Sequence, residues 1–287
     1  MSSEAKKKHH LLIMWQRLAQ SPLAVAGTLI FLFFLLMALI GPYVAPFPFD
    51  AQNIANRLQS PSWEHWCGTD QYGRDIFSRI LVGARGIFLL GGSGTLLAAF
   101  FGSILGLCSG YYGGIFDEVI MRGMDILMSF PALLLALVFL SLLGPSLINL
   151  IMIVAIIYIP ILARLLRSMT LELKSRAFVE AAVIRGESAI YILLVEIFPN
   201  TLPPLFVEIS MRFSYAIFLV ASLGFLGLGV QPPSPDWGLQ INEARSLFST
   251  APWVLLYPAA AISILVISTS LFSDGLRSML QPAMGKR

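Results

Sequence analysis

Charge is what this sequence has least of. Only 12% of its residues are Asp, Glu, Lys or Arg, while 57% are hydrophobic and the mean hydropathy is +0.79. A soluble domain carries roughly 25% charged residues, so a chain this poor in charge could not clothe itself in water. The formal net charge of +3 leaves no basic footprint for nucleic acid. The two cysteines, Cys67 and Cys108, are too few for a disulfide framework and match no metal spacing. Three histidines (His9, His10, His65) form no His-Glu-x-x-His pattern, so no metal site is expected. There is no Gly-x-x-x-x-Gly-Lys-Ser/Thr phosphate loop, and the only Gly-Lys pair is Gly285-Lys286. No Ser/His/Asp or Cys/His set converges. The chain is therefore read as a non-enzyme with no ATP site of its own.

What is present is a series of long charge-free runs. A membrane-crossing helix needs about 20 mainly apolar residues, because helical rise is about 1.5 Å against a hydrocarbon core of about 30 Å. Leu23–Ile40 is one run, extending past the breaker pair Gly41-Pro42, and residues 23–45 are expected as the first span. Gly86–Phe116 is the second, with a glycine-rich exit at Gly110–Gly114. Ile126–Ala163 is too long for one helix, and Gly144-Pro145-Ser146 reads as a tight hairpin between two spans. Phe213–Pro235 is the fifth, its helix starting near Pro203-Pro204, and Thr250–Ser273 is the sixth. None of these runs alternates as barrel strands do, so the expected fold class is all-α, an integral membrane protein of about six helices.

Residues 1–22 read as a tail, with Lys6-Lys7-Lys8 and then an amphipathic helix at His10–Gln20 anchored by Trp15 on the membrane surface. The apolar run that follows is too long for a signal peptide and lacks a cleavage site, so it is read as an uncleaved span. One alternating set of loops holds Lys6, Lys7, Lys8, Arg17, Arg122, Arg164, Arg167, Lys174, Arg176, Arg185, Arg277, Lys286 and Arg287. The opposite set holds Arg57, Arg74, Arg79, Arg85 and Arg245. Because cytoplasmic loops are enriched in Lys and Arg, both termini are expected inside. The loop 46–85 then faces outward, residues 86–277 form a core of five spans, and 278–287 form a cytoplasmic tail. Cys67 and Cys108 fall at opposite ends of the spans and cannot pair.

The segment 164–200 is the largest loop on the cation-rich side. It is mixed in charge and expected helical over Leu171–Ile184, broken at Gly186, and helical again over Ile190–Phe198 up to Pro199. Two short helices around a glycine make a compact knob, suited to a partner's groove. They would equally suit connectors lying on the inner leaflet.

Glu180-Ala181-Ala182-x-x-x-Gly186, followed by Ile192 and Pro199-Asn200, resembles the EAA loop of bacterial ABC importer permeases. The stretch Gly68-Thr69-Asp70-Gln71-Tyr72-Gly73-Arg74-Asp75, then Ser78-Arg79 and Gly83-Ala84-Arg85, is similar to the signature after the first span in dipeptide, oligopeptide and nickel permeases. So are Met121-Arg122 with Asp125, Phe225–Gly229 with Pro232 and Trp237-Gly238, and Asp274-Gly275-Leu276-Arg277. Two departures stand out: Glu196 replaces a frequent histidine three residues before Pro199-Asn200, and Ser273 stands where glycine is usual. The resemblance implies a bacterial inner-membrane subunit that binds no cofactor itself, with ATP and Mg bound by two partner ATPase subunits. It implies a homologous second permease subunit forming a heterodimer, and an extracytoplasmic binding protein that delivers substrate. The loop at Glu180, Ala181, Ala182, Gly186, Pro199 and Asn200 would then couple to the ATPase. Glu180 would orient the knob by polar contacts, and Ala181 and Ala182 would admit the partner.

Within span five, Glu208 and Arg212 stand at i and i+4, the favourable order for a helical ion pair. A charge inside the bilayer must face a partner or a watery cavity. The pair therefore lines a translocation path or stiffens the helix, and its apparent closeness to the interface favours stiffening. Asp70, Arg74 and Asp75 either staple the outer loop or meet a delivering protein; Gly68 and Gly73 mark tight turns that need stapling. The expected function is passage of peptides, or of a related solute such as a nickel or metal chelate, by alternating access. The competing class, an ion-gradient-driven transporter, would call for inverted repeats and several intramembrane acids, which are not evident here.

Overall fold

The computed structural model describes residues 21–280. The interfacial helix expected at His10–Gln20, the lysines at 6–8, and Lys286 and Arg287 lie outside the described residues. Among those described, every regular element is helical. Helix α1 (Pro22–Val44) opens with Ser21, whose side chain accepts from the Ala24 N–H, and with proline at its first position. It runs through Gly41-Pro42 because a proline so near the end removes only one carbonyl's partner. Helix α2 (Ile76–Tyr112) starts ten residues earlier than the charge-free run, since Asp75 caps it by accepting from the Ser78 N–H at 2.7 Å. Arg79 and Arg85 thus lie on a helix and not in the loop. At 37 residues α2 is about 55 Å long, well beyond a 30 Å core.

The third crossing is not one helix. α3 (Gly114–Ser129) and α4 (Ala132–Leu143) meet at 91°. Pro131 disfavours helical backbone in the residue before it, and Phe130 is accordingly extended, with φ −92° and ψ 137°. The twelve residues of α4 reach only about 18 Å, so six crossings arise only when α3 and α4 together count as one. Gly144 and Ser146 then form the expected hairpin, and the Ser146 side chain caps α5 (Leu147–Lys174).

The segment expected as one helix over 171–184 is divided. α5 continues to Lys174, and α6 (Ala177–Ile184) begins after Ser175-Arg176. The run expected to stop at Pro199 does not stop. α7 spans Ala189–Phe225 and carries Pro199, Pro203 and Pro204. A proline ring clashes with the carbonyl four residues back and offers it no N–H. The turn Ile192–Ile197 is widened to π geometry, with the Phe198 N–H donating to the Leu193 carbonyl five residues back, so the prolines are accommodated. α7 ends at Phe225, ten residues before the expected limit. α8 (Trp237–Ala244) and α9 (Trp253–Leu280) complete the chain.

The most extensive seam joins α2 to α5. A Cβ added at Gly102 would lie 2.8 Å from Leu162 Cβ, and one at Gly110 would lie 2.7 Å from Thr170 Cβ. Small residues every fourth position let two helices approach closely, as membrane packing favours. A second cluster gathers Phe34, Ala84, Ile87, Ile217 and Leu265 around Trp237, which is fully buried. The segments 45–75 and 226–252 share one end of the bundle, here the capped face. The α5–α6–α7 turns lie at the other end, the knob face.

Candidate functional site

The cap is assembled from polar groups that are buried. Arg74 donates from Nε to Asp70 at 2.5 Å and from Nη2 to Glu243 at 2.8 Å, tying the first loop to α8. Arg79, 1% exposed, donates to the carbonyls of Phe49 and Ser234, both at 3.1 Å. His65 Nδ1 lies 2.9 Å from Asp75 Oδ1, so the carboxylate that caps α2 also holds the loop. Thr69 bridges the loop, donating to the Asn56 carbonyl and accepting from the Gln59 N–H. Gly73 has φ +71°, and a Cβ there would overlap the Asn53 carbonyl. Asp236 caps α8 by accepting from the Leu239 N–H at 2.8 Å, and burial pushes its carboxyl up to about 6. Burial also raises the thiol of half-buried Cys67 to about 11, with Asp75 adding to the shift. Gly68, Thr69, Asp70, Gly73, Arg74 and Asp75 thus lie in one loop whose buried polar groups bond to one another and to α8.

The knob is built the opposite way. Val179 and Ala182 of α6 are buried and pack with Ile192, Leu193 and Ile197 into the main core. That leaves Phe178, Ala181, Val183 and Ile184 facing out. α6 closes on Gly186: the Gly186 N–H donates to the Val183 carbonyl, and the Glu187 N–H to that of Ala182. This closure needs the left-handed φ of +79° at Gly186, and a side chain there would meet open space. The glycine is required by backbone geometry and not by crowding within the chain.

Two expectations are corrected here. Ala182 cannot admit a partner, because it is fully buried. Glu180 is exposed and pairs with no described side chain, since the inward positions of α6 belong to Val179 and Ala182. The orienting ion pairs come from Arg185, which reaches Glu187 at 3.5 Å and Glu196 at 3.3 Å. Glu196 therefore has a local use that a neutral histidine would not supply. Pro199 and Asn200 are exposed, and the Asn200 side chain donates to the Glu196 carbonyl.

Between the two faces lies a cavity of about 390 Å³, lined by α3, α4, α5 and α7. The α3–α4 bend supplies Met128, Phe130 and Leu133, while α5 supplies Tyr158, and α7 supplies Arg212 and Tyr215. Arg212 donates to Glu208 at 2.7 Å, and its guanidinium carbon stands 5.0 Å from the Tyr215 ring centre. From Arg212 to the end of α7 at Phe225 is about 20 Å. Below the cavity, Arg167 pairs with Asp117, which also accepts from Ser109, and Arg164 pairs with Asp125. Lys174 donates to the Tyr111 carbonyl at 2.6 Å. These contacts join α3 and the end of α2 to the extension of α5 that leads into the knob.

The model of the family described as binding-protein-dependent transport system inner membrane component matches residues 99–286, and that of the N-terminal TM domain of oligopeptide transport permease C matches residues 11–61. The chain belongs to the first of these families. A dipeptide transport system permease protein of Alkalihalophilus pseudofirmus is 41% identical over 94% of this chain and 89% of the relative. A probable D,D-dipeptide transport system permease protein of Escherichia coli K12 is 40% identical over 95% and 91%. A glutathione transport system permease protein of Pectobacterium atrosepticum is 41% identical over 94% and 90%.

This chain is a permease subunit of an ABC importer, and the ion-gradient alternative is not supported. Sequence reasoning missed several parts of the permease. Tyr158 and Tyr215 were lost inside apolar runs, and the α3–α4 bend was signalled only by Pro131. The bonds of Arg74 to Glu243 and of Arg79 to the Phe49 and Ser234 carbonyls join positions far apart in the chain, which no local pattern could have connected.

Proposed function

We propose that this permease passes small peptides or related solutes inward by alternating access, driven by two ATPase subunits that dock on the knob face and hold the ATP and Mg. A binding protein would deliver the solute to the capped face, a homologous subunit would complete the path, and both termini would face the cytoplasm. The observation that carries the reading is the knob itself. Its inner side chains are locked into the core, while Ile184 and Ile190 are 86% and 67% exposed. An apolar helical patch set on a rigid base suits a partner's groove. Glu180, Ala181, Gly186, Pro199 and Asn200 would form the contact surface, with Ala182 supporting it from beneath. The ion pairs of Arg164 and Arg167 would carry displacement of the knob to α3, and so to the cavity wall.

Gly186→Val should leave the six crossings inserted yet lower co-purification of the ATPase, or uncouple substrate-stimulated hydrolysis from uptake in reconstituted membranes. Normal assembly together with normal stimulated hydrolysis would remove the coupling role. For the orientation, Cys67 is a poor reporter because its thiol is held near 11. A cysteine placed at exposed Ser60 in a Cys67→Ser background should be labelled by an impermeant maleimide in intact cells. Labelling only after lysis would invert the topology.

A further inference from the structure

The cavity is almost wholly apolar and aromatic, yet it contains one cation, Arg212. That cation is only partly used. One guanidinium nitrogen is held by Glu208, one face lies over Tyr215, and Nε is buried with no hydrogen-bond partner. A buried donor left unmade costs free energy comparable to a lost hydrogen bond, more when it is charged. The arginine fork matches a carboxylate with two parallel N–H donors, whereas Glu208 takes only one of its nitrogens within hydrogen-bond reach. Beside it stand Tyr158, Phe130 and Leu133, surfaces that would take an apolar side chain. A volume of about 390 Å³ lies at the small end of sites for organic ligands.

We propose that Arg212 is a carboxylate-reading residue. It selects small apolar solutes that end in a carboxylate, and so gives the permease a selectivity of its own, separate from that of any delivering protein. This deepens, and rests on, the reading of the cavity as part of the path. The solute carboxylate exchanges with Glu208, one turn nearer the knob face, for the guanidinium nitrogens. That competition keeps binding from becoming a trap, as conduction requires. No bond is made or broken beyond this exchange of partners.

The test compares the dipeptide Ala-Phe with its C-terminal amide, which has nearly the same shape and lacks the carboxylate. Saturable binding is measured on the full-length permease, with whatever subunits co-purify, in nanodiscs. Wild type should prefer the acid at least about tenfold. Arg212→Gln should abolish the preference for acid over amide, and Arg212→Lys, which keeps the charge, should retain part of it. Glu208→Gln removes the competitor and should bind the acid several-fold more tightly but release it more slowly. Equal binding of acid and amide by wild type, or an unchanged preference in Arg212→Gln, would overturn the assignment. Binding requires no ATPase. Acid-selective binding without ATP-driven uptake would therefore sink the reading of the cavity as part of the path and support the site, while uptake without selectivity would do the reverse.

Discussion

The two ends of this bundle are held by different physics. At the capped face, charged side chains are buried and joined across long sequence distances: Arg74 to Glu243, and Arg79 to Phe49 and Ser234. On the knob itself, exposed charged side chains pair with near neighbours, as Arg176 does with Glu172 and Arg185 with Glu187. Buried pairs lose much when one partner is removed, because the other is left as an uncompensated charge. Exposed pairs are worth about 0–1 kcal/mol. The cap is thus expected to be rigid and intolerant of substitution, and the knob to be tolerant of it except where its backbone is forced.

The sharpest break in that contrast should come from Arg79→Ala. It removes a fully buried cation and strands two loop carbonyls, at about 1–3 kcal/mol for each unsatisfied group. The protein should accumulate poorly, and its unfolding midpoint in detergent should fall steeply. A midpoint within a degree or two of wild type would show that the cap is not stapled by this residue.

Next is the pH dependence at Asp236. Its carboxyl titrates near 6 when folded, above the ordinary range, so the folded state holds this proton more tightly than the unfolded state does. Its contribution is therefore complete in acid and is lost as pH rises through about 6, a span of at most about 3 kcal/mol. Asp236→Asn keeps the cap, since Asn and Asp cap equally well, and should flatten this part of the profile between about pH 4 and 6.5. An identical profile in the variant would assign the titration elsewhere.

At the knob, Gly186→Asn and Gly186→Val should part company. Asn tolerates left-handed backbone, whereas a β-branched residue does not, and the strain is about 1–2 kcal/mol. The loss should appear in ATPase co-purification and not in membrane insertion. Equal behaviour of the two variants would point to a steric demand of the partner instead. The smallest effect is expected from Glu196→Gln, which breaks an ion pair with half-exposed Arg185 at about 0.5 kcal/mol or less. A large loss there would erase the difference between the two faces.

Much of this protein could be read from its residues taken in order. The charge-free runs located the crossings, Gly144-Pro145-Ser146 marked the hairpin, and Glu180 through Asn200 marked the knob. Errors clustered where one local rule met a stronger neighbour. Arg79 was set outside a helix because it is charged, although two carbonyls from distant loops satisfy it. Pro199 was taken as a terminus, although a widened turn carries the helix through it. Ala182 was assigned to a partner, although its position on α6 turns it into the core.

The sequence alone determined that the chain crosses a membrane repeatedly by helices, because apolar length and backbone hydrogen bonding are properties of contiguous residues. It also determined the pairing of Glu208 with Arg212, one helical turn apart. Only the tertiary structure decided that Arg212 would face a cavity, that Asp75 would serve both a helix and a histidine, and that Phe130 would form a wall. Each of these depends on which helices come to lie side by side, and that is settled by packing among residues remote in the chain.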